Sequence, residues 1–201
     1  MTRLQLNKSS LANEAKSLGT YKRFLPSLEL KRQQLTAQRN KAKAAVAETV
    51  RRIDQLELRV GDQLPMLANQ NIDLAGLVQL TDVNLGTENV VGTHLPTLNG
   101  IELRVKHFSV MATPHWVDNV VETLKEMLEL KVLANVNTRR LQLLDKAVSK
   151  ITQRVNLFEK VLIPQTESNI KRIKVYLSDE QMAAVVRSKI AKRKRQKVVS
   201  V

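Results

Sequence analysis

Two long stretches of this chain each keep one apolar stripe at helical spacing, over about 55 and about 80 residues. In the first, from about Ser9 to Leu67, the stripe returns every seventh residue at Leu11, Leu18, Leu25, Val46, Ile53, Val60 and Leu67. A companion row, three residues further on, holds Tyr21, Leu28, Leu35, Ala42 and Leu56. In the second, from about Pro114 to Arg195, one row is Val120, Met127, Ala134, Leu141, Val148, Val155 and Leu162. Its companion is Leu130, Leu144, Ile151 and Phe158. Helices of this length cannot bury such stripes in an ordinary globular core; they bury them on each other, as a coiled coil. The expected fold is all-α dominated, a long antiparallel two-helix coiled coil with a small β-hairpin inserted between the helices. A rod of this kind does mechanical or scaffolding work more often than chemistry.

Composition agrees. Aromatic residues are only 3% of the chain and Trp116 is the sole tryptophan, which is thin for a globular core and ample for a seam of Leu, Val, Ile and Ala. The formal net charge of +14 attracts polyanions: nucleic acid, an anionic membrane surface or an acidic protein surface. With no cysteine, disulfide and thiol chemistry are excluded. The opening Met1–Lys8 has no apolar run that would serve as a signal peptide, and no window approaches the ~20 apolar residues of a transmembrane helix. The expectation is a soluble, cytoplasmic chain that meets a membrane only through partners.

Three segments follow, expected to form one structural unit: a long helix in residues 1–75, a connection with a short hairpin in 76–112, and a long helix with a basic tail in 113–201. Asn7 or Ser9 is placed to cap the first helix. Pro26 sits inside the register, so it should kink the helix and not stop it. At ~1.5 Å per residue that helix reaches roughly 80 Å. Gly61 and Pro65 weaken its far end, which should fray between Leu64 and Leu80. Glycines and Pro96 then punctuate short pieces such as Asn89–Val91 and the alternating Ile101–Val105, with Asn99-Gly100 as the predicted turn. Thr113-Pro114 reads as cap and first helical position. Pro164 interrupts the second helix, and its stripe resumes at Ile170, Ile173 and Leu177 with a shifted phase, which predicts a second kink or a change of winding. Phe108 and Trp116 should pack the hairpin base. Arg32, Arg39 and Asn137 occupy seam positions, where polar groups fix register. Pairing Leu11 with the region of Leu177 brings Arg39 near Asp145 and predicts an ion pair.

Chemistry is hard to place. None of the six glycines belongs to a phosphate loop or a dinucleotide turn. His94, His107 and His115 lack the spacing and the carboxylate partners of a metal site. No Ser or Thr stands in a nucleophile-elbow setting. No catalytic residue, cofactor or metal is expected, and the chain is read as a non-enzyme. The tail that includes Lys189, Lys192, Arg193, Lys194 and Arg195 is either a solvated end or a binding element for an acidic partner. Nucleic acid is the weaker reading, because no aromatic residue is interleaved to stack bases. The rival class is a coiled-coil scaffold or a polyanion-binding protein of nucleic acid or cytoskeleton.

The run Arg154-Val-Asn-Leu-Phe-Glu-Lys-Val-Leu-Ile-Pro164, followed by Asn169-Ile-Lys-Arg-Ile173 and Leu177-Ser-Asp-Glu180, resembles the C-terminal signature of the D subunits of V/A-type rotary ATPases. Leu6-Asn7, Leu11 and the stretch Leu28-Glu-Leu-Lys-Arg-Gln-Gln-Leu35 resemble that family's opening. The likeness spans nearly the whole chain. It departs at Lys8, where the family usually has proline, at Tyr21–Pro26, where a small residue and a glycine are usual, and at Lys160, where an aromatic is usual. The resemblance implies a divergent bacterial member acting as a central-stalk rotor, which transmits torque between a catalytic A/B hexamer and an ion-translocating ring. The implied partners are the A, B and F subunits, with the C (d) subunit at the foot, and the implied place is the cytoplasmic side of the plasma membrane. It also implies that Arg154, Asn156 and Glu159 present a face to the F subunit or to the collar of the hexamer, and that the basic tail enters that collar.

Overall fold

The computed structural model describes residues 4–68, 76–107 and 114–199. In chain order these form helix α1 (Lys8–Gln63), a 3-10 turn (Pro65–Ala68), strands β1 (Val78–Val90) and β2 (Thr93–Val105), helix α2 (Trp116–Leu157), a π-helical turn (Phe158–Leu162) and helix α3 (Ile163–Val199). Two long helical arms therefore flank one antiparallel hairpin, as the heptad rows predict. The chain separates into a terminal unit, Met1–Leu30 with Ile151–Val201, and a middle unit, Lys31–Lys150.

In the middle unit the two arms run antiparallel, and cross-links mark the register. Arg39 meets Asp145 at 3.9 Å, Asn137 donates to the Thr49 hydroxyl at 3.1 Å, and Arg59 meets Glu126 at 3.8 Å. As the α1 number rises, the α2 number falls by a similar step. The predicted Arg39–Asp145 pair is thus present, at the long end of ion-pair distance and partly solvated, where such a pair stabilises by at most about 1 kcal/mol. At the far end of α1, Pro65 disfavours helical backbone at Leu64, and the helix gives way to the 3-10 turn. Leu64, Leu77, Trp116, Val117, Val120 and Val121 close the hydrophobic core there, with Val78 and Val105 from the strand ends packed against it. Trp116 therefore packs the hairpin base, as expected; Phe108 and the expected cap Thr113 lie outside the described residues.

The hairpin is longer than the short pieces read from the sequence, and its turn lies elsewhere. Val90 pairs with Thr93, so the turn is Val91-Gly92, both at positive φ (53° and 80°), as a two-residue hairpin loop of primed type requires. The Asn89 side-chain oxygen accepts the Gly92 N–H at 2.9 Å and supports it. Asn99-Gly100 instead sits within β2: Asn84 faces Gly100 and Leu85 faces Leu98, which leaves Asn99 as a bulge. Gly86 makes room for that bulge, since a Cβ there would come within 2.7 Å of Thr97 and 2.8 Å of Asn99. A turn at Asn99-Gly100 would have left β1 without a partner; the long ladder outweighs the favoured dipeptide and the strain at Val91. The expected fraying towards Leu80 likewise yields to strand structure from Val78 onwards.

In the terminal unit, Asn7 caps α1: its side-chain oxygen accepts the Ser10 N–H at 2.6 Å and its carbonyl the Leu11 N–H at 3.1 Å. α1 passes through Pro26 without ending, although the missing N–H leaves the Lys22 carbonyl without its helical donor. The other arm changes winding before Pro164, where Ile163 N–H bonds to the Phe158 carbonyl across a π turn. Tyr21 meets Phe158 edge-to-face with centroids 5.5 Å apart, and Lys22 pairs with Glu167 at 2.7 Å. Val155 and Ile173 are fully buried in this unit.

Candidate functional surfaces

The heptad rows set which side chains turn inward. Of the residues assigned to the seam, Leu35, Leu56, Val120, Leu144, Ile151 and Val155 are buried. Leu11, Leu18, Leu25, Leu28, Val46, Ile53, Val60, Met127, Leu141, Val148, Phe158 and Leu162 are half-buried. Two buried polar residues escaped the reading of the rows. Thr49 fills the gap between Ala42 and Leu56, donating to the Ala45 carbonyl at 2.7 Å while accepting from Asn137. Thr166 is buried in the terminal unit and donates to the Leu162 carbonyl at 2.6 Å. The signal for Thr49 was its seventh-residue spacing, which a search for apolar side chains passes over.

Charge is divided unequally. The terminal unit holds 17 of the 33 Lys and Arg residues but only 6 of the 19 Asp and Glu, while the middle unit is nearly balanced. Beyond Glu180 the sequence has seven basic residues and no acidic one. From Ser178 to Gln196 every residue of α3 is exposed, including Lys189, Lys192, Arg193, Lys194 and Arg195. Among the described residues none of these five makes an ion pair within the chain. Met182, Val186 and Ile190 recur at one helical spacing on the same segment and are each at least 50% exposed. The result is a helix with an apolar row interleaved with cations and no covering among the described residues. Arg154 and Glu159 are exposed and Asn156 is half-buried, beside the exposed Leu157 and Val161 at the π turn.

Elsewhere the surface offers ordinary polarity. Glu48 is held below the usual carboxylate range, first by the hydrogen bond from Arg52 and then by the charge of Arg51. His94, His107 and His115 are exposed, and among the described residues no three His, Asp or Glu side chains cluster as metal ligands would. No described helix is long and apolar enough to cross a membrane. An open groove of ≈ 850 Å³ between the start of α1 and α3 is lined mainly by polar groups such as Glu14, Gln165, Asn169 and Arg172.

A family model for the ATP synthase D subunit matches residues 10–193. Over 193 residues the chain is 34% identical to the V-type ATP synthase D subunit of Borreliella burgdorferi, an overlap of 96% of this chain and 95% of the relative. It is 31% identical over 196 residues to the protein of the same name in Chlamydia muridarum, with 96% of both chains covered. A third relative, in Chlamydia pneumoniae, is 31% identical over 195 residues, covering 95% of this chain and 92% of its own length.

Proposed function

Since the chain belongs to the family of ATP synthase D subunits, we propose that it is the central-stalk rotor of a V/A-type ATP synthase, peripheral to the membrane and without catalytic groups of its own. In this reading the A and B subunits carry out ATP chemistry, the F subunit binds the stalk, and the C (d) subunit joins its foot to the ion-translocating ring. The chain turns within the A/B hexamer and carries torque between the two.

The observation that supports this best is the bare basic segment of α3, an exposed helix whose cations and apolar row have no covering partner among the described residues. Interleaved cations and small apolar side chains favour many weak, exchangeable contacts over one tight site. A rotor needs this, since a partner that gripped one orientation strongly would hold it there. Within the terminal unit the two arms also differ, one passing through Pro26 and the other through the π turn, which gives that part of a rotor unlike sides. Truncation after Arg187 in the assembled complex tests the reading: ATP-driven ion transport should fall while the shortened chain still assembles. Unchanged coupled transport would count against it.

A further inference from the structure

The hairpin of the middle unit is held at its base by an apolar cluster and towards its tip by a polar bridge beside one buried leucine. At its base, Leu77, Val78 and Val105 pack with Trp116 and its buried neighbours, and Lys106 N–H bonds to the Leu77 carbonyl at 2.8 Å. Towards its tip the polar hold among the described residues is one side chain. Arg140 of α2 reaches the Glu88 carboxylate on β1 at 2.9 Å and the Pro96 carbonyl on β2 at 3.4 Å, so a single guanidinium bridges both strands. Leu95 is the buried apolar residue at this end. Between base and tip β2 leaves space against α2. A groove of ≈ 510 Å³ opens there, with Leu98 and Ile101 of β2 on one side and Leu130 and Leu133 of α2 on the other.

We infer that the hairpin is a strap, fixed at its apolar base and releasable at its tip, with Arg140 as the positioning residue that holds it closed. The two ends differ in how they respond to solution conditions. The base is a cluster of buried hydrophobic residues, indifferent to salt. The Arg140–Glu88 pair is partly solvated, with 27% and 52% of the two side chains exposed, so mobile ions screen it. Release lifts the Val91-Gly92 turn away from α1, where the Lys31 ammonium lies 3.5 Å from the place a Gly92 Cβ would take. It also uncovers Leu95 and widens the groove over Leu130 and Leu133. This property belongs to the chain by itself and does not depend on the rotor reading.

Hydrogen exchange on the full-length chain tests it. In Arg140→Ala, amides of residues 84–90, 93–95 and 97–98 should exchange about 5-fold faster, the loss expected for one charge-assisted, partly exposed pair. Amides of the base, 78–80 and 103–105, should keep their rates. Added salt should speed tip exchange in the natural chain and have little effect in Arg140→Ala. The exchanged pair Arg140→Glu with Glu88→Arg should return the part of the protection that the ion pair supplies, though not the Pro96 contact, which keeps the test sound if the single variant folds poorly. Unchanged tip exchange in Arg140→Ala, or an equal rise at tip and base, would overturn the inference. So would a folded exchanged pair that regains none of the lost protection.

Discussion

Thr49 and Asn137 form a polar link between the rows of the middle unit, and their replacement has a sign that the geometry dictates. Thr49 is 4% exposed; its hydroxyl gives its proton to the Ala45 carbonyl at 2.7 Å and accepts the Asn137 amide at 3.1 Å. Thr49→Val keeps the shape but removes the hydroxyl. One net hydrogen bond is lost, about 1 kcal/mol, and the half-buried Asn137 amide keeps only partial access to water, so the total cost is about 1–2 kcal/mol. Adding Asn137→Leu removes the stranded amide and buries apolar area, worth about 1–2 kcal/mol more than the polar side chain. The double variant should therefore recover the loss and finish as stable as the natural chain or about 1 kcal/mol above it, as replacing a complete buried polar pair often does. Asn137→Leu alone should cost little, because Thr49 keeps its bond to Ala45. Urea unfolding of the four chains, followed by helical circular dichroism at matched slopes, measures all three values and the coupling between the sites. A double variant less stable than Thr49→Val would refute the reasoning. So would a Thr49→Val chain of unchanged stability.

Two smaller predictions concern local structure. Val91→Asn should stabilise the hairpin by about 1 kcal/mol, because a β-branched residue at positive φ is strained and Asn-Gly is the favoured pair for this loop; the check is thermal unfolding of the full chain. The lowered proton affinity of Glu48 means that its pairing with Arg52 and Arg51 contributes stability when the carboxylate is ionised, above the ordinary value of 4.5. A Glu48→Gln chain should thus be slightly less stable than the natural chain at neutral pH, and the difference should vanish as pH falls through the lowered value. A gap that widened on acidification would contradict the assignment.

The long helices were legible because seventh-residue spacing is a repeated signal. Leu35, Leu56, Leu144, Ile151 and Val155, all members of the rows, are buried, and the Arg39–Asp145 pair followed from the register alone. The exposed basic tail was legible as a charge run with no acidic neighbour in sequence. Thr49 was less so: its seventh-residue spacing was there, but its partner Asn137 lies on the other arm and a polar side chain does not announce burial. The turn was misplaced for a related reason. Asn99-Gly100 is a strong local cue, but the choice between two turns is made by the whole ladder and by Gly86, opposite the bulge. The π turn at Phe158–Leu162 left only the shifted phase and Pro164 as traces, which mark a change in winding without giving its kind. The Arg140 bridge joins residues far apart in sequence, and nothing at Glu88 or Pro96 announces it.

The central claim is that this chain turns while others carry out ATP chemistry. The direct measurement is single-molecule observation of a probe fixed to this chain in a complex reconstituted with A, B and F subunits, the A/B hexamer being held to a surface. The account predicts unidirectional, ATP-dependent rotation of the probe. ATP hydrolysis with the probe stationary relative to the hexamer would contradict it.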